Sequence, residues 1–456
     1  MLTFYLKKLL CGAASCALLL GGTAAAQSTD ASQSQPPALA PTGTDRLTPS
    51  AEVGADALTP DLAGGADTLD TVALARRATT RSVPQAATVT ARSRLVERTA
   101  GEPPAAKPER HLSRIMHRLP VTSQDGGPTL LFSDSPEYAT ESGILYRDTV
   151  DGAVRVLYYH VNQTQHAAQV AVVLENVGVG TAMVTIQRAG LSQPSPDYLF
   201  VGKATQAAYF DAQRSRRFFL KKGEAQVLDP AMTANLLAPD DLVYGVYDFV
   251  TTQDVRVSVV FCPAGTDPTT YVRRAPVLPA DSLRLRGTFQ NADRTLTATR
   301  PYDPEKDEIN YVLLADNESD PYRTGIDATD GTATLNYGNY GILYHLHFPV
   351  QGRTRTQFYL SPFGGTYAGA VRARLKSGRE NLLLTPPDTI SFGAGSEDFT
   401  EAAGIEKART SGLAYLTDSM ELADLGTYTE FSSPDFLFSP PGASNLPAAI
   451  ILMPAN

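Results

Sequence analysis

Tryptophan is absent from this chain, and cysteine occurs only three times in 456 residues. The missing indoles weaken a sugar-binding reading, because tryptophan faces are favoured stacking platforms. A surplus of positive charge is missing too. The chain carries 39 Lys and Arg against 48 Asp and Glu, a formal net charge of -9. Phosphate binding draws on a Lys/Arg excess, so nucleic acid is excluded as the default partner. No apolar run reaches the roughly 20 residues of a comfortable membrane span. There is no Gly-x-Ser-x-Gly elbow, so Ser/His/Asp hydrolysis has no support in the sequence. Hydrophobic residues make up 43% and charged residues 19%. Such a chain is neither a membrane bundle nor wholly disordered, and its length allows about three domains at ~150 residues each.

The first 26 residues have the three parts of a secretory signal. Lys7 and Lys8 are the charged region, Leu9 to Leu20 the apolar run, and Ala24-Ala25-Ala26 the small residues before a cut ahead of Gln27. Cys11 and Cys16 would leave with this segment. Ala13-Ala14-Ser15 does not provide the branched residue expected before a lipidated Cys16. The mature chain then keeps Cys262 alone and forms no internal disulfide. Its stability must come from a packed core. Cys262 closes the apolar run Val257 to Phe261 and reads as a buried, inert thiol.

Residues 27–125 are rich in Ala, Thr, Ser and Pro, and they lack strand alternation. Such a composition buries too little apolar surface to offset ordering entropy, so a disordered linker is expected. Its charge is sorted. Ser28 to Asp70 holds seven acidic residues and Arg46, whereas Thr71 to Pro120 holds ten basic and three acidic residues. Residues 121–456 hold 26 basic and 38 acidic residues. The basic stretch is either a solvated linker or a tether to an acidic surface, the protein's own body included.

From Thr129 onward the pattern changes to short β-branched and aromatic runs. Val154 to Val161, Val170 to Glu175, Met183 to Ile186 and Val255 to Phe261 are expected strands. Asp151-Gly152 and Asn176 to Gly180 supply turn residues between them. Leu283 to Arg286, Thr295 to Thr299, Tyr311 to Leu314, Ile342 to Val350, Thr356 to Leu360 and Ala368 to Leu375 continue the style. A faint repeat links the halves: Gly143-Ile-Leu-Tyr146 recurs as Gly341-Ile-Leu-Tyr344, and Phe261-Cys-Pro-Ala264 resembles Leu452-Met-Pro-Ala455. The expected fold is all-β, with two tandem antiparallel β-sandwich-like domains over 126–268 and 280–456.

His345 and His347 are the most pointed chemical pair. In a strand, positions i and i+2 share a face, so both imidazoles point to one side. They read either as two metal ligands lacking a local third or as two polar residues on a solvated face. Asp303 to Glu308, Asp316 to Asp320 and Asp327 to Gly331 are acidic loops that suit Ca²⁺ or ordinary turns; none has the spacing of a helical calcium loop. Ser361 to Gly369 is glycine-rich but lacks the Lys and helix of a phosphate loop, and it reads as a hairpin turn between Phe358 and Val371. No catalytic residue, metal or cofactor is assigned beyond the His345/His347 candidates.

The stretches GILYRDTVDGAVRVLYYHVN, VAVVLENVG, PDYLFVGKATQAAYF, GNYGILYHLHFPV, GGTYAGAV and SPPGASNLPAAIILMP carry a resemblance. Together they resemble a group of exported bacterial proteins of unknown activity, often labelled through an attached copper amine oxidase-like N-terminal domain. The resemblance spans about residues 128–456 and implies an extracytoplasmic, envelope-associated protein. The attached domain is not visible here, and the group brings no catalytic residues to carry over. The expected function is an exported, non-catalytic β module, structural or ligand-binding, with a cell-envelope component or polysaccharide as partner. The alternative is a secreted enzyme acting on polysaccharide or peptidoglycan.

Overall fold

A computed structural model describes residues 114–211, 215–393, 413–416 and 420–455. The expected signal and the expected linker up to residue 113 lie outside the described residues. The described part is mostly β-strand, in three sheets. The largest has eleven strands. Its main path runs Thr332–Asn336, Arg323–Asp327, Gly287–Phe289, Thr129–Ser133, Gly143–Asn162, Leu242–Pro263, Ala168–Asn176, Ala225–Val227. Ala182–Leu191 pairs with Leu242–Pro263 and carries Arg216–Leu220 on its outer side. Two six-stranded sheets complete the fold. One is centred on Asn310–Leu314, Ala448–Pro454 and Thr356–Pro362, and the other on Leu343–His347, Asp293–Ala298 and Asp435–Phe438.

Alternation explains why these segments are strands. In Asp293–Ala298, Arg294, Leu296 and Ala298 are buried while the residues between them are half-exposed. Central strands such as Ala168–Asn176 are buried on both faces and read as continuous Val, Ala and Leu runs. Pairing is mainly antiparallel, but Thr129–Ser133 runs parallel to Gly143–Asn162, Asp293–Ala298 to Leu343–His347, and Arg114–Arg118 to Asn310–Leu314.

Several expectations change here. Asp151-Gly152 does not end a strand. Gly143–Asn162 runs for 20 residues through it, and the partner strand absorbs the irregularity in a register shift between Thr251 and Val255. Gly152 takes φ 67, the left-handed region that glycine tolerates. Ser361 to Gly369 is not a hairpin. Thr356–Pro362 and Gly369–Arg374 belong to different sheets, so the glycines carry a crossover. Residues 114–125, expected as linker, form the strand Arg114–Arg118 and most of Val121–Gly126, paired to Asn310–Leu314 and Asp293–Ala298. The stretch Thr266–Ala280 does not divide the sheets, because Gly287–Phe289 pairs with Thr129–Ser133. The largest apolar cluster draws on both sides of that stretch, from Leu130 and Leu157 to Ile450 and Leu452.

Among the described residues one long helix, Tyr198–Asp211, lies among the strands. Asp197 starts it by accepting from Phe200 N at 3.0 Å. Its buried positions are Val201, Gly202, Thr205, Gln206, Tyr209 and Phe210. That spacing is one helical face. Gly190 admits the helix, since a Cβ there would lie 2.5 Å from Thr205 O and 2.6 Å from Tyr209 Cβ.

Candidate functional site

The helix carries most of the polar chemistry at the centre of the fold. Thr205 Oγ1 donates to Tyr244 O at 3.1 Å. Gln206 Oε1 accepts from Ala370 N at 2.6 Å, and its amide donates to Ser439 O. Lys203 Nζ donates to Thr389 O at 2.7 Å. Burial, eased by Asp388, holds that ammonium below its ordinary pKa. Tyr209 Oη donates to Asp248 Oδ2 at 2.7 Å.

Asp248 leads to Arg155, the largest fully buried side chain. Arg155 Nε sits 2.7 Å from Asp248 Oδ1 and Nη2 3.1 Å from Oδ2. Its Nη1 donates to Ala292 O at 2.9 Å, Asp293 Oδ1 at 3.0 Å and Gly341 O at 3.0 Å. Burial opposes the charge, but the carboxylates of Asp248 and Asp293 prevail and hold the guanidinium charged. Asp293 Oδ2 in turn lies 3.6 Å from His345 Nε2. Burial raises the Asp293 pKa, yet the contacts from His345 and Arg155 bring it below the ordinary value.

The expected histidine pair therefore shares a face but makes separate contacts. His347 Nδ1 is 2.6 Å from Asp435 Oδ1, on the neighbouring strand, while His345 reaches Asp293. Among the described residues, no three His, Cys, Asp or Glu side chains come together as metal ligands.

The acidic loops are likewise engaged within the fold. Asp303 accepts from Lys306 Nζ at 2.7 Å, and Asp307 from Arg300 at 2.6 Å. Asp316 accepts from the N–H groups of Glu318 and Asp320 at 3.1 and 2.8 Å. Asp320 is buried and accepts from Arg294 and from Tyr344 Oη, the latter at 2.7 Å. Asp327 takes Arg286 Nε at 2.8 Å, and Arg286 Nη1 reaches the carbonyls of Leu145 and Leu278 at 2.9 and 2.8 Å. Asn, Asp and Gly here close turns, and the arginines join loop to sheet.

Two polar groupings had no signal in the sequence. Ser133 Oγ is 2.8 Å from His160 Nε2, and His160 Nδ1 is 2.9 Å from Pro136 O. The carbonyl only accepts, so Nδ1 carries the proton and Nε2 accepts from the serine hydroxyl. Burial holds the His160 pKa down at about 4, so the ring is neutral. Both residues are fully buried. Beside them, Asp134 Oδ1 is buried without a hydrogen-bond partner. Burial, Glu137 and Asp281 push that carboxyl well above its ordinary range. Cys262 is buried, and burial pushes its thiol pKa up. A shallow groove of about 530 Å³ is lined by Gln169, Gln226, Thr266, Asp267 and Thr269.

No family model matches the sequence, and no curated protein matches it. Among solved structures, the oxalate decarboxylase of Lactobacillus farciminis in its formate complex aligns with 73% of this chain and 88% of its own. The identity is 9% and the TM-score 0.11. A mutant of the Bacillus subtilis oxalate decarboxylase aligns with 73% of this chain and 78% of its own, at 10% identity and a TM-score of 0.10. Likeness at this level carries no argument about fold or chemistry. Among the described residues, no helix is long and apolar enough to cross a membrane.

Proposed function

We propose that the chain is an exported, non-catalytic β module that binds a ligand or builds structure at the cell envelope. The observation that carries the non-catalytic part is the engagement of its reactive groups. His345 and His347 each face one carboxylate, and Asp303, Asp307, Asp320 and Asp327 each hold a cation of the fold. A general acid or base must be free to exchange a proton with substrate; these side chains are already engaged with the scaffold. Export rests on the charged, apolar and small-residue parts of residues 1–26.

The test uses purified full-length protein with peptidoglycan and with neutral and acidic polysaccharides. Co-sedimentation without release of reducing ends or muropeptides is the expected result. Turnover of any of these polymers would establish the enzymatic alternative instead. The export reading is checked separately, by N-terminal sequencing of protein recovered outside the cytoplasm, which should begin at Gln27.

A further inference from the structure

Arg188 differs from the arginines that tie loops and strands together. Arg155, Arg286, Arg294 and Arg372 all donate to carboxylates and carbonyls. Arg188 is half-buried, its Nη1 is fully buried, and that nitrogen has no acceptor. It lies against an aromatic face: the guanidinium carbon is 5.1 Å from the centre of the Tyr209 ring.

Two neighbouring carboxylates, Asp248 and Glu380, are already engaged. Asp248 is the cross-strand partner of Arg188, but its two oxygens take Arg155 and Tyr209 Oη. Glu380 takes Arg372 and lies 3.7 Å from Arg374. Arg372 also donates to Phe210 O at 2.6 Å, next to Tyr209 on the helix. Its guanidinium is held below the ordinary pKa by burial first and by repulsion from Arg188 second. Arg188 and Arg372 thus both reach the last turn of the helix, one at the Tyr209 ring and the other at Phe210 O. An uncompensated buried donor is costly, and more so when charged.

We propose that Arg188 is the anchor of an oxyanion-binding site, with the Tyr209 ring as its shelf. The ligand group is a carboxylate, phosphate or sulfate. A planar guanidinium offers such groups two parallel N–H donors, which a single ammonium cannot match. The ring holds the guanidinium plane in place before the anion arrives. This inference needs neither the export reading nor the absence of catalysis. The anion has two sources: a free inorganic ion, or the acidic group of a glycan.

The test is calorimetric titration of the full-length protein with inorganic phosphate, sulfate and oligogalacturonate, at ionic strength held constant with sodium chloride. Saturable binding to at least one is expected. Binding of the inorganic ions alone assigns a free-ion site, and tighter binding of the oligosaccharide assigns a glycan group. Arg188→Met keeps an apolar chain against Tyr209 and removes the fork. It should weaken binding about tenfold or more, as for a lost charge-assisted hydrogen bond, and leave the anion-free melting temperature unchanged or raised. Responses matched by chloride would overturn the proposal, and so would an Arg188→Met variant that binds like the parent. If that variant does not fold, Arg188→Lys replaces it; undiminished affinity there would overturn the fork argument.

Discussion

Arg155 shows how much of this fold hangs on single polar side chains. It is 2% exposed and satisfies two carboxylates and two carbonyls drawn from distant parts of the chain. Replacing it removes the donors but leaves Asp248 and Asp293 in place. Breaking a buried pair in this way costs about 3–5 kcal/mol. We therefore expect Arg155→Met to lower the unfolding free energy measured in urea by an amount of that order, and to do so more than Arg188→Met does. His160 makes a second prediction, this one in pH. Its folded pKa is about 4, against about 6.5 in an unfolded chain. Between those values the unfolded state binds the extra proton. Stability tied to the neutral ring is thus fully present above about pH 6.5 and is lost as pH falls toward 4. The span corresponds to about 3 kcal/mol. His160→Gln removes the titrating ring, so the stability difference from the parent should shrink as pH falls through that window. A difference that does not vary with pH would show that His160 does not titrate on unfolding.

The helix Tyr198–Asp211 leaves no clear mark in the sequence, and the reason is physical. Its buried face is made of Val, Gly, Thr, Gln, Tyr and Phe, so hydropathy shows no helical stripe although the spacing is helical. The available signal was Asp197 preceding a Gly- and Ala-containing stretch free of β-branched runs. Gly190 sets how closely this helix approaches the sheet. Gly190→Ala would press a methyl group onto the backbone of Thr205, and the helix must move or the strand must bend. Overpacking of this kind costs about 1–3 kcal/mol. Thermal unfolding should show the loss, and anion binding at Arg188 should weaken too, because Tyr209 moves with the helix. Strands were easier to read than the helix. The runs Val154 to Val161, Val170 to Glu175 and Val255 to Phe261 lie inside observed strands. Their true lengths were hidden, since Asp151-Gly152 has the composition of a turn but lies within a strand, opposite the bulge of its partner. The His345/His347 pair was legible as a shared face. Its carboxylate partners were not, because Asp293 and Asp435 are placed only by cross-strand register.

Across the whole molecule, pairing ignores sequence order. Arg114–Arg118 and Val121–Gly126 complete the two smaller sheets, whose other strands all come from residues 293–454. In return Gly287–Phe289, Arg323–Asp327 and Thr332–Asn336 extend the large sheet beyond Thr129–Ser133. The apolar cluster that joins Leu119, Leu157, Tyr209, Leu296, Phe358 and Leu452 lies between these exchanges. Such interleaving couples the stability of each sheet to the others, since unpairing one strand uncovers a core shared by both halves. Two calorimetric consequences follow. The full-length protein should melt in one transition rather than two. A chain starting at residue 110 should melt at the same temperature as the parent, because the removed composition buries little apolar surface. A chain starting at residue 127 loses both strands, together with the buried side chains of Met116 and Leu119. Burial of a large aliphatic side chain contributes about 1.5–3 kcal/mol, and two such losses come on top of two unpaired sheet edges. That chain should melt far lower or fail to accumulate in soluble form. Equal melting of the chains starting at 110 and 127 would place the two strands outside the cooperative unit.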